Sequence, residues 1–167
     1  MSSANTKNAV LSKEDVSRKL RRMALEIAER NTEEKEIVLA AVNGNGEVVA
    51  AHLLNALQQL KTHNVSSCTI HMNKRDPLHA AIEDVDVENK VLVLVDDVAN
   101  TGKTMFYALK PFMDKRPRKI QTLVLVERSH KLFPVQTDYA GLSLATTLQS
   151  HISVETEKGE ILGAWLE

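Results

Sequence analysis

The sequence predicts an α/β fold: a doubly wound, mainly parallel sheet flanked by helices, with a small carboxy-terminal hood. Two observations carry that prediction. The run Val91-Leu92-Val93-Leu94-Val95 is apolar without alternation, as in a strand covered on both faces in the middle of a parallel sheet. Around it, β-rich runs and helical patterns follow one another as strand, helix, strand, strand, helix, strand, the succession that a doubly wound sheet produces.

Taken in chain order, Ser12-Lys13-Glu14-Asp15 has the form of a helix capping box, and Val16, Leu20, Met23 and Ile27 then recur at helical spacing to about Arg30. Residues 36–42 read as a strand, 46–60 as a helix with Val49, Leu53, Ala56 and Leu60 on one face, and 65–72 as a second strand. The signature strand 91–95 leads to a helical segment at 105–109, and 120–126 forms a further strand ended by polar residues. Short strands towards the carboxy terminus are expected to build the hood, with Trp165 and Tyr139 packed in or near it.

Composition fits one domain over residues 1–167, without linker, repeat or low-complexity tract. With 43% hydrophobic and 26% charged residues, the chain can bury a core without staples. Cys68 is the single cysteine, which excludes an internal disulfide framework and suits a reducing compartment. The first six residues lack the apolar core of a signal peptide and no window is long enough to span a membrane, so a cytoplasmic protein without a membrane partner is expected. A net charge of −1 gives no global pull toward nucleic acid. His52, His63, His71 and His151 lack metal-ligand spacing.

The chemistry concentrates after the signature strand, in Asp96, Asp97, Val98, Ala99, Asn100, Thr101, Gly102, Lys103 and Thr104. This is the carboxyl edge of the sheet, where open α/β folds bind ligands. The helical segment that follows offers unpaired first amides and a positive dipole end to a phosphate. Gly102 lets the backbone approach closely, and Thr101 and Thr104 add hydroxyl donors. Two adjacent carboxylates repel a phosphate and each other, so their targets are better read as hydroxyls. Asp96 and Asp97 suit a ribose diol, with Mg²⁺ offsetting part of the charge; such charge-assisted bonds are roughly twice as strong as neutral ones. The run therefore reads as a site for a phosphorylated sugar.

Competing readings are weaker. Thr101-Gly102-Lys103-Thr104 copies the end of a nucleotide-triphosphate P-loop, but that motif needs glycine where Asp97 stands. An acidic strand end before a capped helix, with no ligand, is the plain alternative. Gly44 and Gly46 hint at a dinucleotide fingerprint, yet Val49 replaces its third glycine.

Val93 to Thr104 resembles the phosphoribosyl-pyrophosphate signature of type I phosphoribosyltransferases. The segment from Leu123 to Gly141 is similar to the one that follows this signature in the bifunctional pyrimidine-operon attenuator and uracil phosphoribosyltransferase family, and the amino-terminal helix and closing 161–167 strand fit it too. The resemblance implies a pentosyltransferase of pyrimidine salvage. Such an enzyme moves ribose 5-phosphate from phosphoribosyl pyrophosphate to a uracil-like base and releases pyrophosphate with the help of Mg²⁺, as a homodimer or higher homo-oligomer.

Carried onto this chain, the resemblance assigns Asp96 and Asp97 to the diol, to the cationic transition state and, indirectly, to the metal. Ala99, Asn100, Thr101, Gly102, Lys103 and Thr104 would hold the 5-phosphate. Asn43, Gly44, Asn45 and Gly46 form the pyrophosphate loop, Lys74 and Arg75 belong to the flap, and Val126, Glu127, Arg128 and Ser129 read the base.

The chain departs from the family at three places. Asn43-Gly44-Asn45-Gly46 has no cation, although its amides could form an anion nest or simply a βα turn. The segment 73–80 is shorter than the family's mobile flap, leaving Lys74, Arg75 and His79 as phosphate contacts or as a solvated turn. Glu127 and Ser129 replace an Asp and a Gly. These departures keep open a non-catalytic sensor of phosphoribosyl pyrophosphate or a nucleotide. An RNA-binding attenuator is a further reading: His130 and Lys131 match the family's His-Arg pair, whereas Gln136 and Leu142 replace basic residues. Arg18, Lys19, Arg21 and Arg22 form a basic cluster, but Glu14, Asp15 and Glu26 allow (i, i+4) pairing along the helix, a pattern that favours a solvated helix face over an RNA surface.

Overall fold

The computed structural model describes residues 7–145 and 150–167. The chain runs β1 (Asn8–Leu11), α1 (Lys13–Arg30), β2 (Glu36–Val42), α2 (Asn45–Leu60), β3 (Asn64–Asn73), β4 (Asp76–Ile82), β5 (Val91–Ala99), α3 (Lys103–Ala108), a 3₁₀ turn (Lys110–Phe112), β6 (Lys119–Arg128), β7 (Tyr139–Leu144), β8 (Ile152–Glu157) and β9 (Glu160–Leu166). Six strands form one sheet in the order β4-β3-β2-β5-β6-β7, parallel except for the β3–β4 pair. A second, antiparallel sheet has the order β1-β9-β8.

β5 explains the doubly wound arrangement. Its pleat sends Val91, Val93 and Val95 into the core under α1 and α2, and Leu92 and Leu94 into the core with Met105, Ala108 and Phe112. All five strand residues are completely buried, hence the lack of alternation. Each such side chain contributes about 1.5–3 kcal/mol of burial. α1 begins at the expected box: Asp15 N–H donates to Ser12 Oγ at 3.1 Å and Ser12 N–H donates to Asp15 Oδ2 at 3.0 Å. Caps of this kind contribute about 1 kcal/mol.

Two regions differ from the sequence reading. Residues 76–82, grouped with a short flap and an acidic stretch, fold back on β3 as β4. Asn73 Oδ1 accepts from Arg75 N–H at 3.0 Å and tightens the reversal, and Pro77 is tolerated because β4 is an edge strand. The hood, in turn, takes β1 from the amino-terminal side, while 139–144 leaves it and joins the main sheet beside β6. Tyr139 is therefore a sheet residue: fully buried, its hydroxyl donates to Gln121 Oε1 at 2.9 Å and its ring lies 4.8 Å from the Arg30 guanidinium. Gly141 permits the close approach of β7 to β6, since a Cβ there would lie 2.5 Å from the Leu125 carbonyl oxygen.

Candidate functional site

Asp96 and Asp97 are strand residues, not turn residues, because β5 continues to Ala99 while β2 stops pairing with it at Val95. Asp96 stays paired on the other side with Val124 of β6. Where β2 leaves off, the start of α2 closes in: a Cβ on Gly46 would lie 3.1 Å from the Val95 carbonyl oxygen and 3.3 Å from Asp96 Oδ1. Asp96 and Asp97 are only 1% and 8% exposed.

A buried pair of carboxylates needs compensation. Lys74, on the β3–β4 turn, donates to Asp96 Oδ1 at 3.0 Å and Asp97 Oδ1 at 3.4 Å. Asp97 N–H donates to Asp96 Oδ1 at 2.9 Å, Val98 N–H to Asp97 Oδ1 at 2.8 Å, and Asn45 Nδ2 to Asp97 Oδ2 at 3.0 Å. Burial, reinforced by the neighbouring Asp97 charge, pushes the Asp96 carboxyl up to about 7 despite Lys74. Burial also pushes Asp97 upward, but Lys74, the Asp96 hydrogen bond, Asn45 and the Val98 amide together hold it below the usual range. One member of the pair thus holds its proton near neutrality while the other is ionised. Lys74 stands out from the residues grouped with the flap; Arg75 is exposed and makes none of these contacts, and His79 is exposed on β4.

Beyond the pair, Ala99 to Thr104 turn around a cavity of about 270 Å³, which Lys74 also lines. Gly102, at φ +85°, caps α3, and Lys103 N–H donates to Thr101 Oγ1 at 3.3 Å. α3 has six residues, so its dipole offers less to an anion than the turn's own amides and hydroxyls. The Thr101 carbonyl accepts from Leu132 and Phe133 N–H at 2.9 and 3.1 Å, tying the turn to the segment after β6.

The Asn43–Gly46 turn is occupied from within. Gly44 N–H donates to Glu47 Oε2 at 2.8 Å, and Glu47 Oε1 accepts from the Thr69 hydroxyl at 3.0 Å. Asn43 Oδ1 accepts from Met72 N–H at 3.1 Å. Asn45 Nδ2 also donates to the Val154 carbonyl at 2.8 Å, and Asn45 Oδ1 accepts from Thr156 at 3.0 Å, so the hood is fastened to the acidic pair. Sequence reasoning missed Glu47, although its spacing from Gly44 is that of a capping box. It had no signal for Val154 and Thr156, which arrive from far along the chain.

Of the four residues assigned to the base, three line a cavity of about 570 Å³ with Lys131 and Phe133. Glu127 pairs with Lys131 at 3.2 Å and accepts from Ser143 at 3.2 Å; Arg128 donates to Asn100 Oδ1 at 3.3 Å, linking this cavity to the 99–104 turn. Ser129 donates to the Leu144 carbonyl at 3.3 Å. The Val126 side chain is instead fully buried in the core. Among the described residues, no three His, Cys, Asp or Glu side chains converge as a metal site, and no helix is long and apolar enough to cross a membrane.

The phosphoribosyl transferase domain family matches residues 7–157. The chain belongs to that family. This phosphoribosyltransferase chain is similar to the bifunctional protein PyrR of Enterococcus faecalis, with 35% identity over 91% of either chain. It is 33% identical to the bifunctional protein PyrR of Staphylococcus carnosus over 87% of this chain and 89% of the relative. The fold is that of the hypoxanthine phosphoribosyltransferase of Trypanosoma cruzi (TM-score 0.77, 17% identity, 93% and 95% of the two chains covered). A Bacillus anthracis hypoxanthine-guanine phosphoribosyltransferase shares it too (TM-score 0.71, 22% identity, 83% of each chain). Relatives and fold thus place this chain among the phosphoribosyltransferases, with the signature run at the carboxyl edge of its sheet.

Proposed function

We propose that this phosphoribosyltransferase moves ribose 5-phosphate from phosphoribosyl pyrophosphate to a uracil-like pyrimidine base and releases pyrophosphate. The observation that carries the reading is the buried Asp96–Asp97 pair placed immediately before a hydroxyl-rich turn that encloses a cavity. Asp96 and Asp97 accept the diol, and the ionised Asp97 stabilises positive charge growing on the sugar. Residues 99–104 fix the 5-phosphate, so that orientation lowers the barrier. Lys74 is exchangeable: its side chain is 42% exposed and also lines the phosphate cavity, so a diol arriving at Asp96 can release the ammonium toward a ligand phosphate. Glu127, Arg128 and Ser129 face the base.

The two carboxylates suit Mg²⁺ held through water, since Mg²⁺ keeps much of its hydration and uses one or two carboxylates with substrate phosphates. Bound there, the ion would neutralise charge on the departing pyrophosphate. A cytoplasmic homodimer or larger homo-oligomer completes the proposal, consistent with the lone free thiol of Cys68.

A specific observation favours a second reading, a non-catalytic sensor: the Asn43–Gly46 turn carries no cation and its polar groups are already engaged. RNA binding has less support, because Arg18 pairs with Asp15, and Arg22 pairs with Glu26 and donates to the Ala140 carbonyl. The test is pyrophosphate release from phosphoribosyl pyrophosphate with Mg²⁺ over a panel of bases, with turnover expected on uracil or a close analogue. Thermal stabilisation by the ligand without turnover on any base would transfer the conclusion to the sensor.

A further inference from the structure

We propose that Arg128 is a positioning residue for the ribose 5-phosphate: by holding the carbonyl oxygen of Asn100, it turns the amide nitrogen of that side chain toward the phosphate as a donor. This rests on the reading of residues 99–104 as the 5-phosphate turn. It gives Arg128, which lines the neighbouring base cavity, a second task.

The two side chains meet between the two cavities. Arg128 closes β6 and lines the cavity of about 570 Å³, whereas Asn100 follows β5 and lines the cavity of about 270 Å³ with Thr101 to Thr104. Arg128 Nη1 donates to Asn100 Oδ1 at 3.3 Å, and Arg128 is only 7% exposed. A primary amide can offer a neighbour either end, since its oxygen accepts and its nitrogen donates, but a guanidinium cannot accept. Half a turn of the Asn100 amide would set its NH₂ group against a buried cation. The oxygen therefore stays on Arg128, and the nitrogen is left for another partner. Among the described residues, Asn100 Nδ2 donates to no protein acceptor.

The backbone on either side of this contact is held independently of it. The Thr101 carbonyl accepts from Leu132 and Phe133 N–H at 2.9 and 3.1 Å, and Gly102 lies so close to the Phe133 carbonyl that an added Cβ would stand 3.3 Å from its oxygen. With the main chain fixed in this way, the freedom that remains in the turn belongs to its side chains. Thr101 Oγ1 accepts from Lys103 N–H at 3.3 Å and keeps its own proton for donation. A phosphate monoester takes up several donors at once. An amide already oriented by Arg128 supplies one of them without the entropy loss of a side chain that is ordered only on binding.

The test uses the full chain in Mg²⁺ buffer with ribose 5-phosphate as the probe. Calorimetric titration should show about tenfold weaker binding in Asn100→Ala, the scale of one hydrogen bond to a charged group, and about threefold to fivefold weaker binding in Arg128→Met. The two losses should not add. Arg128→Met introduced into Asn100→Ala should weaken ribose 5-phosphate no further, because the side chain that Arg128 positions is gone. A general structural role for Arg128, or a direct pull of its charge on the phosphate, would weaken binding as much in the Asn100→Ala background as in the wild type, and that result would overturn the proposal. A second measurement needs no Arg128 variant to fold. The side-chain NH₂ resonances of Asn100, identified by their loss in Asn100→Ala, should shift when ribose 5-phosphate is added to the wild-type protein. Resonances that stay in place while ribose 5-phosphate binds would equally overturn the proposal. If ribose 5-phosphate does not bind the wild type at all, the reading of the turn itself falls, and this inference with it.

Discussion

Two strand-to-helix turns lie side by side at the carboxyl edge of the sheet, one after β2 and one after β5. Each ends on a glycine that caps the next helix with positive φ, Gly44 at +92° and Gly102 at +85°. Both caps share a positive φ but not ψ, −132° at Gly44 against 0° at Gly102, and the polar groups of the two turns are also used differently. The first turn is closed by Glu47, Met72, Val154 and Thr156, whereas the second keeps a cavity of about 270 Å³ lined by its own residues. A glycine-rich turn at a sheet edge is a ligand loop only while its donors remain unclaimed by the chain, and backbone shape alone does not decide that.

The widest separation between the two turns should come from the acidic pair. Asp96→Asn with Asp97→Asn is expected to weaken ribose 5-phosphate by about a hundredfold or more, since two charge-assisted contacts to the diol are lost. Titration calorimetry reads this directly, and an unchanged affinity would remove both residues from the role proposed for them.

Next come the two glycines. Gly102→Ala adds a Cβ at positive φ, 3.3 Å from the Phe133 carbonyl oxygen, so the turn must shift; about tenfold weaker ribose 5-phosphate binding is expected, with a lower Tm. Gly44→Ala also places a Cβ at positive φ, but that Cβ meets nothing within 4 Å. It should cost about 1 kcal/mol of stability and leave ribose 5-phosphate affinity alone. Equal binding losses in the two variants would break the distinction between the turns.

A smaller effect tests how the pair is balanced. With Lys74→Met, Tm should fall by a few degrees at pH 8, a modest amount because the ammonium is partly exposed and screened. The loss should shrink at pH 5, where Asp96 is protonated. A loss that is the same at both pH values would show that the ammonium does not act through the carboxylates.

The last effect is the pH dependence itself. The Asp96 carboxyl is raised to about 7 in the folded protein, so the native state holds this proton more tightly than the unfolded chain does. Its contribution to stability is complete below a pH of about 4, the ordinary carboxyl value, and is lost as pH rises to about 7. Asp97 is shifted the other way, and its contribution fades on acidification below about 4. Asp96→Asn should therefore flatten the fall in Tm between pH 5 and 8, as followed by circular dichroism. A wild-type curve as flat as the variant's would contradict the burial of a protonated Asp96.

Local patterns were legible in the sequence because their causes are local. The capping box at Ser12 and the uninterrupted apolar run 91–95 each depend on residues within one element, and both elements lie where the pattern put them. The turn at 99–104 between β5 and α3 was likewise readable from contiguous residues. The cross-chain pairings were not: β1 meets β9 across almost the whole sequence, and Asn45 finds Val154 and Thr156. Lys74 could be named as a candidate cation, but its two partners follow from the β3–β4 reversal, which an edge-strand proline had obscured. Val126 was named for its place at a strand end, yet β6 is still paired there on both sides, with Val98 of β5 and Leu142 of β7, and the side chain is fully buried.

Asn45 holds Asp97 with the same amide nitrogen that grips β8, and β8 in turn is paired to β9, which also carries β1. The pairing of β1 with β9 joins segments far apart in the chain, so it forms late on a growing polypeptide and slowly in refolding. A nascent chain could assemble the 99–104 turn well before β9 is made, but the acidic pair would lack its hood-bound anchor until then. Ligand-binding competence should consequently appear after most of the main sheet has gained its protection against hydrogen exchange, as a distinct final stage of folding.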